Sequence, residues 1–521
     1  MHAYSLKNRL IVLALVLPAA LVAGPAYAHG FGQRYDLPVP LWLYLTGAGT
    51  AVAFSFVVIG FFVRGTPGLH GYPRINLLES RAGRLLTHPA VLFPLQVASM
   101  ALFALVVVAG ALGNQDPRFN IAPTAVWVVW WVGLAYVSAL VGDLWALLNP
   151  WKILFSWAEA LYRLALAGDE LAFHWRYPER LGVWPGLLLF LAFAWAELVY
   201  PSSAVPNRIA AMAAVYSAIT WAGMLAFGKH QWLRHGDAFT LVFGLLARFA
   251  PTEVLVRDTA LCQSCSGECS DQGGTCVNCY ECFERAAPGA RALNLRPYAA
   301  GLLHSLKATP SFMALVVVML STVTFDGFTA TPLWAKIVGN LYPLFTFLDG
   351  KALIAVNTLG LLTFPAIFLG VYLSFSAAMA LTSGTSLPVT TLARTFIFSI
   401  VPIALAYHVA HYLSFLLIQG QVIIAQVSDP LGLGWNLLGT AGYKVNIGII
   451  NARYAWLTAV AVIVAGHIVA VYVAHVVAMR TLEDRKAALR SQYPMLALMV
   501  GYTMVSLWII AQPIVETARK G

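Results

Sequence analysis

The sequence predicts an all-α fold, a polytopic transmembrane helix bundle that carries one cysteine-rich insertion. Hydrophobic residues make up 60% of the 521 residues and charged residues only 10%, a balance typical of multi-pass membrane proteins. Ten windows have the length of about 20 apolar residues that crosses a hydrocarbon core. Lys and Arg gather in alternate loops between these windows. The net charge of +10 therefore reflects membrane topology, and we expect the lipid bilayer rather than nucleic acid as a partner.

The N-terminal segment has the pattern of a cleaved signal peptide. A basic start, MHAYSLKNRL, is followed by the apolar run IVLALVLPAALVAG and by AYAHG, which contains an A-x-A cleavage site. We expect residues 1–28 to be removed, with Ala28 as the last of them; an uncleaved first anchor is the alternative. His29 then begins the mature chain, where its α-amino group and imidazole can chelate copper, or where it merely follows the cleavage site.

The ten spans are predicted in two halves of five. The N-terminal half covers residues 29–229, a cytoplasmic loop covers 230–308, and the C-terminal half covers 309–521. With the mature N-terminus outside, the more basic loops lie inside, which is the usual orientation in a bacterial inner membrane. The windows fall at roughly 40–63, 90–112, 121–146, 183–201, 208–228, 309–325, 351–380, 393–419, 455–479 and 492–512.

Four further segments are more than simple linkers. NPWKILFSWAEALYRLALAG and DAFTLVFGLLARFAP, both on the inner side, mix apolar and polar residues and are expected to lie in the membrane interface. The outer segments 326–350 and 420–454 are Gly-rich and aromatic with few charges. We expect them to fold over an external site or to dip into the membrane where protein covers them.

All six cysteines lie in the stretch LCQSCSGECSDQGGTCVNCYEC. Two CxxC turns can bring four thiolates around one ion or cluster, so the spacing predicts zinc or an iron-sulfur cluster. Three disulfides are the alternative, and the predicted cytoplasmic location disfavours them. Six thiolates exceed the needs of one simple site, so either two zinc ions share ligands or two cysteines are spare. The residues are Cys262, Cys265, Cys269, Cys276, Cys279 and Cys282.

Two predicted spans near the C-terminal end carry histidines. The eighth contains YHVAHYLSFLLIQGQ with His408 and His411, and the ninth contains GHIVAVYVAH with His467 and His475. Ionisable groups inside a bilayer usually face the bundle interior and indicate a functional site. His408 and His411 are three residues apart, so both rings lie on one face of the helix. We expect His467 at a similar depth in the outer half, and His475 about 12 Å deeper as a less certain ligand.

Carboxylates complete this predicted intramembrane metal site. Glu197 lies in the outer part of the fourth span and Asp326 at the outer end of the sixth, and each is a candidate ligand or general base. Asp143, toward the inside, is a candidate partner of His475. A mixed histidine and carboxylate set suits zinc, manganese or iron, which can acidify a bound water into a nucleophile. Axial ligation of a b-type haem, structural hydrogen bonding and a proton path are the alternatives.

Three stretches together resemble a known family. The N-terminal AHGFGQRYDLPVPLWLY and the two histidine-bearing spans are similar to the bacterial multi-pass membrane proteins of the fenitrothion hydrolase family. The resemblance implies hydrolysis of an apolar organophosphorus triester by a metal-dependent enzyme within the membrane, with an operon-encoded protein as a further partner. It supplies no catalytic residues. A membrane protein that handles metals or electrons, with metal, haem or quinone at the histidines, and a transporter are the competing functions.

Overall fold

The computed structural model describes residues 35–63, 72–165, 170–264, 275–303, 308–482 and 484–516. Within these ranges ten helices are long and apolar enough to cross a membrane, which confirms the predicted helix bundle. The signal peptide and His29 lie outside the described residues. Spans 1 to 10 are Leu41–Phe62, Pro89–Leu112, Ile121–Leu140, Glu179–Leu198, Pro206–Phe227, Pro310–Thr329, Pro332–Ser383, Val389–Gln426, Ala452–Thr481 and Arg485–Ile514.

Both ends of the described chain lie on the same side of the bundle. Strand β1, Tyr35–Asp36, precedes span 1 and pairs in parallel with the last strand, Val515–Glu516, which follows span 10. Span 1 packs against spans 9 and 10, with Tyr44 in edge-to-face contact with Trp456. We call this the terminal side, and the opposite side, which carries the cysteine-rich segment, the insertion side.

Spans 6 and 8 form the centre of the bundle and are the most buried of the ten. Span 8 packs closely against span 9 because Gly466 has no side chain. A Cβ atom at that position would lie 2.3 Å from the Cβ of Ala406 and 2.8 Å from the carbonyl oxygen of Pro402. Residues of spans 6 and 8 therefore face protein rather than lipid, which is where polar groups in a membrane protein are tolerated.

Several spans depart from a regular α-helix. Span 3 contains a ten-residue π-helix, Thr124–Gly133, between the short helices Ile121–Pro123 and Leu134–Leu140. Span 4 joins Glu179–Leu181 to Trp184–Leu198. Span 7 is a composite of Pro332–Leu341, Tyr342–Lys351 and Ala352–Ser383, with non-helical backbone at Asp349. Span 8 is assembled from Val389–Phe396, Ile397–Ile400, Val401–Gln419 and Val422–Gln426.

A small sheet on the insertion side was not foreseen from the sequence. Its strands, in spatial order, are β2 (Ile75–Asn76), β5 (Arg291–Leu295), β3 (Thr252–Val256) and β4 (Cys276–Val277), all antiparallel to their neighbours. The loop after span 1 thus contributes a strand to the insertion. The predicted insertion comprised only residues 230–308.

A buried ion-pair network fixes this loop to the sheet. The carboxylate of Glu253 accepts hydrogen bonds from Arg74 at 2.5 Å, from Arg296 at 2.7 Å and from the hydroxyl of Tyr72 at 3.0 Å. Asn294 contributes a longer bond of 3.3 Å. Burial alone would raise the pKa of Glu253, but Arg296 and the Arg74 contact outweigh it and hold the pKa below its usual value.

The segment after span 5 folds back into the bundle. Helix Lys229–His235 reverses the chain, and helix Ala238–Ala247 then packs with nearly all of its side chains buried. Asp237 caps its start and accepts a 2.9 Å bond from Asn149, while Arg296 donates to the last carbonyls. The expectation that this segment lies in the interface was therefore wrong, because a helix apolar on nearly every side belongs inside.

The other predicted segments are also ordered. Pro150–Ala165 forms a helix that buries its start and exposes Leu161 and Leu164 near its end. On the terminal side, the end of span 8 and the loop after it fold onto the turn before span 3. Gln426, the last residue of span 8, donates to the carbonyl of Asn120 at 2.9 Å. The remaining short helices are Leu77–Glu79, Arg81–Leu86, Trp145–Leu148, Thr259–Ser264, Tyr280–Arg285, Pro288–Ala290, Ala300–Leu303 and Ile447–Ile449.

Candidate functional sites

A histidine and a carboxylate meet at the centre of the bundle. His411 of span 8 places Nε2 2.9 Å from Oδ2 of Asp326 in span 6, and the hydroxyl of Tyr412 donates to the same oxygen at 2.5 Å. Both histidine and carboxylate are largely shielded from solvent. Such a carboxylate fixes the tautomer and orientation of the imidazole. A histidine oriented in this way can act as a general base through its other ring nitrogen.

A small cavity is lined by Tyr412, whose hydroxyl bonds to Asp326, but not by His411 or Asp326 themselves. It has a volume of about 30 Å³ and is lined by Glu197, His408, Tyr412 and Trp131, together with apolar side chains of spans 3, 4, 6 and 8 and of the helix Ala238–Ala247. Its volume suffices for one or two water molecules. The Nε2 atom of His408 is buried and has no hydrogen-bond partner among the described residues, so a water in the cavity is the natural partner for it.

The two predicted carboxylates therefore belong to one polar cluster. Glu197 and Asp326 come from spans 4 and 6 and interact electrostatically, and each is close to Tyr412. The structure thus brings together Glu197, Asp326, His408 and His411 from three spans that are distant in the sequence. Tyr412 was missed, although it directly follows His411 and is the kind of buried hydroxyl that needs a partner.

His467 lies apart from this cluster. Its Nδ1 atom bonds to the carbonyl of Ile463 in its own helix at 2.8 Å, and its ring is 6.0 Å from that of Tyr502. In the described ranges no three histidine or carboxylate ligand atoms lie within 4.8 Å of one another. The three-histidine metal site thus stays a prediction, and the structure presents a different arrangement of the same residues.

His475 has a packing role in this structure. Nδ1 bonds to the side-chain oxygen of Gln492 in span 10 and Nε2 to the carbonyl of Val63 at the end of span 1, both at 3.0 Å. Neither ring nitrogen is left for a metal. The predicted pairing with Asp143 is not made, because Asp143 instead accepts from the backbone of Ala146 at 3.0 Å.

The π-helix of span 3 borders the cavity. Trp131 and Tyr136 of this span contact the ring of His408, at centroid distances of 6.2 and 5.8 Å. The hydroxyl of Tyr136 also donates to the carbonyl of Val409 in span 8 at 2.9 Å. π-Helical turns occur frequently at functional sites, so this feature independently indicates the same region.

A second candidate site lies in the insertion. The sulfur atoms of Cys262, Cys276 and Cys282 lie within 4.8 Å of one another, and all three side chains are buried. Cys279 is also buried, but Arg234 donates to its sulfur at 3.2 Å. No disulfide joins these four cysteines to one another. The predicted ligands Cys265 and Cys269 lie outside the described residues.

Charged side chains also occur around helix Tyr280–Arg285. Lys152 pairs with Glu284 at 2.5 Å and Arg285 with Glu281 at 3.0 Å. The second site therefore combines converging thiols with a charged protein surround.

The fold and the two sites define the class: a multi-pass helical membrane protein with a polar cluster inside the bundle and converging cysteines on one side. Comparisons of the chain with protein-family models, with curated proteins and with solved structures gave no match.

Proposed function

We propose that the chain is a membrane-integrated hydrolase of apolar esters, with organophosphorus triesters as the substrate class. The observation that carries the proposal is the 2.9 Å contact between His411 and Asp326, which Tyr412 connects to a cavity with room for water. The resemblance to fenitrothion hydrolases supplies the substrate class.

The proposed reaction uses the side chains of the cluster. His411 removes a proton from water, Asp326 holds the imidazole in place while Tyr412 holds Asp326, and the water oxygen attacks phosphorus. The bond from phosphorus to the aryloxy oxygen breaks, Glu197 in its protonated form gives a proton to the leaving group, and the proton taken up by His411 restores Glu197 for the next turnover. An oriented base of this kind accelerates a reaction by about 10²- to 10⁴-fold.

The side chains that line the cavity are too few to hold the predicted divalent ion. Catalytic zinc usually takes three protein ligands. Among the described residues the cavity offers two metal-binding side chains, His408 and Glu197. The cavity lining therefore does not fit a catalytic zinc ion, and the proposed reaction uses side chains alone.

The test uses the full-length protein in proteoliposomes and an aryl phosphotriester with a coloured leaving group. We expect hydrolysis by the wild type, and a fall in kcat of about 10²- to 10⁴-fold in Asp326→Asn and in His411→Gln. Asp116→Asn is the matched control, because Asp116 pairs with Arg118 at the surface. Hydrolysis that is absent even with the operon-encoded partner, or undiminished in both variants, contradicts the proposal.

Treatment with a metal chelator distinguishes a metal-free mechanism from a metal-dependent one. Activity that survives chelation supports the histidine-carboxylate base. Activity that is lost on chelation and restored only by added zinc, manganese or iron contradicts the metal-free route and supports a metal bound at His408 and Glu197.

The converging thiols favour one other function, a membrane protein that handles metal ions. In that case the thiols of Cys262, Cys276 and Cys282 would take up an ion on the insertion side, which we infer to be cytoplasmic, and the intramembrane cluster would conduct ions or protons. Metal flux into proteoliposomes without any ester hydrolysis would favour this function over the first.

A further inference from the structure

The three converging cysteines come from three different elements. Cys262 lies in the helix Thr259–Ser264 after β3, Cys276 begins β4, and Cys282 lies in the helix Tyr280–Arg285. Their side chains form a small core with Val256 and Ala286, shielded from solvent. Thiol groups gathered in this way form either a packed apolar cluster or a metal site, and the distances between sulfurs distinguish the kinds of site.

Sulfur separations depend on how many metal atoms the thiolates share. Four thiolates around one tetrahedral zinc ion, each at about 2.3 Å, lie about 3.8 Å from one another. In a four-iron cluster each thiolate binds a different iron at a corner of the cube, so the sulfurs stand further apart. All three separations here are 4.8 Å or less, which fits a single ion.

We propose that Cys262, Cys276 and Cys282 bind one thiophilic ion of the zinc class, and that Cys279 is not a ligand. Each of the three thiols loses its proton as its sulfur bonds to the ion. Three thiolates and one divalent ion carry a net negative charge. The sulfur of Cys279 is held instead by the guanidinium of Arg234 at 3.2 Å.

The proposed ion cross-links the sheet to its flanking helices. Strand β4 has only two residues and its backbone pairing with β3 is correspondingly short. A bond from the ion to Cys276 would fix this strand, and bonds to Cys262 and Cys282 would fix the helices on either side. Small domains of this kind commonly gain stability from a structural metal. This role is independent of the proposed ester hydrolysis.

The test measures metal content in the purified full-length protein in detergent. We expect about one zinc per chain, a colourless preparation, and loss of the zinc in Cys262→Ser, Cys276→Ser and Cys282→Ser. Cys279→Ser is the matched control from the same buried cluster, and it should retain the zinc. Iron with inorganic sulfide and visible absorption, or equal loss of zinc from Cys279→Ser and Cys276→Ser, would overturn the proposal.

Cobalt substitution keeps the test decisive if a serine variant fails to fold. We expect wild-type protein and Cys279→Ser loaded with Co²⁺ to show identical tetrahedral thiolate absorption bands. Cys276→His, which replaces a sulfur ligand by a nitrogen ligand, should still bind Co²⁺ but with weaker sulfur-to-cobalt bands. Unchanged bands in Cys276→His, or altered bands in Cys279→Ser, contradict the assignment of ligands.

Discussion

Two tyrosines in span 8 provide a matched test of the polar cluster. The hydroxyl of Tyr412 donates to Asp326 at 2.5 Å. The hydroxyl of Tyr407, five residues earlier, is buried and finds no hydrogen-bond partner among the described residues. Both side chains are almost fully buried, so replacement by phenylalanine removes one oxygen atom from a comparable environment.

The two replacements should have opposite consequences. A hydrogen bond to a charged group contributes about 1.5–3 kcal/mol, so Tyr412→Phe should destabilise the protein by this order. If the bond is needed to orient the base, the same energy corresponds to a fall of about 10- to 150-fold in kcat. Tyr407→Phe removes a buried hydroxyl that lacks a partner, and we expect unchanged or slightly increased stability.

The assay combines thermal unfolding in detergent with hydrolysis of a coloured aryl phosphotriester in proteoliposomes. The informative quantities are the difference in melting temperature and the ratio of hydrolysis rates between the two variants, since both keep the aromatic ring and its packing. Equal melting temperatures and equal rates for the two variants would refute the assignment of Tyr412 to the cluster.

Three further predictions concern the parts of the fold that hold the site. Glu253→Gln should destabilise the protein by about 3–5 kcal/mol because it leaves buried cations uncompensated, whereas Glu79→Gln at an exposed position should not. Because folding lowers the pKa of Glu253, its contribution to stability is present above the unfolded pKa of about 4.3 and is lost as the pH falls through the lower folded pKa. In an acid unfolding series, the free energies of unfolding of wild type and Glu253→Gln should therefore approach each other at acidic pH. Ala404→Val should fill the cavity lined by Tyr412 and lower the rate of hydrolysis by about tenfold or more, and a rate equal to wild type would contradict a water site there. Gly466→Ala should destabilise the packing of spans 8 and 9 by about 1–3 kcal/mol, measured by thermal unfolding, while Gly501→Ala, which meets no atom within 4 Å, serves as the control and should leave the melting temperature unchanged.

The sequence was informative where one physical signal dominates. Ten apolar windows define ten spans because no other structure satisfies that much backbone in lipid. The contact between His411 and Asp326 could be anticipated from depth in the membrane, since the sequence predicts both residues in the outer half of their spans. Which of the four histidines face one another depends on helix rotation and packing, which a single sequence does not specify.

Other features gave weak signals or were misread. The two-residue strand Ile75–Asn76 is too short to show a pattern, and its pairing depends on the distant Glu253 network. The helix Ala238–Ala247 did carry a signal, because its side chains are almost uniformly apolar, which is typical of a buried helix. Among the four described cysteines, Cys262, Cys276 and Cys282 bring their sulfurs within 4.8 Å of one another. The predicted CxxC pairs include Cys265, which lies outside the described residues, so that pairing stays a prediction.

The position of span 1 has a consequence for how the protein is made. This helix is the first described span to leave the ribosome, yet its neighbours in the bundle are spans 9 and 10, the last to be synthesised. The carbonyl of Val63 likewise has no partner until His475 is synthesised, and strand β1 cannot pair until the last strand, Val515–Glu516, is made. During translation span 1 must therefore stay in the lipid without its final contacts, and a nascent chain truncated before span 9 leaves the bundle open.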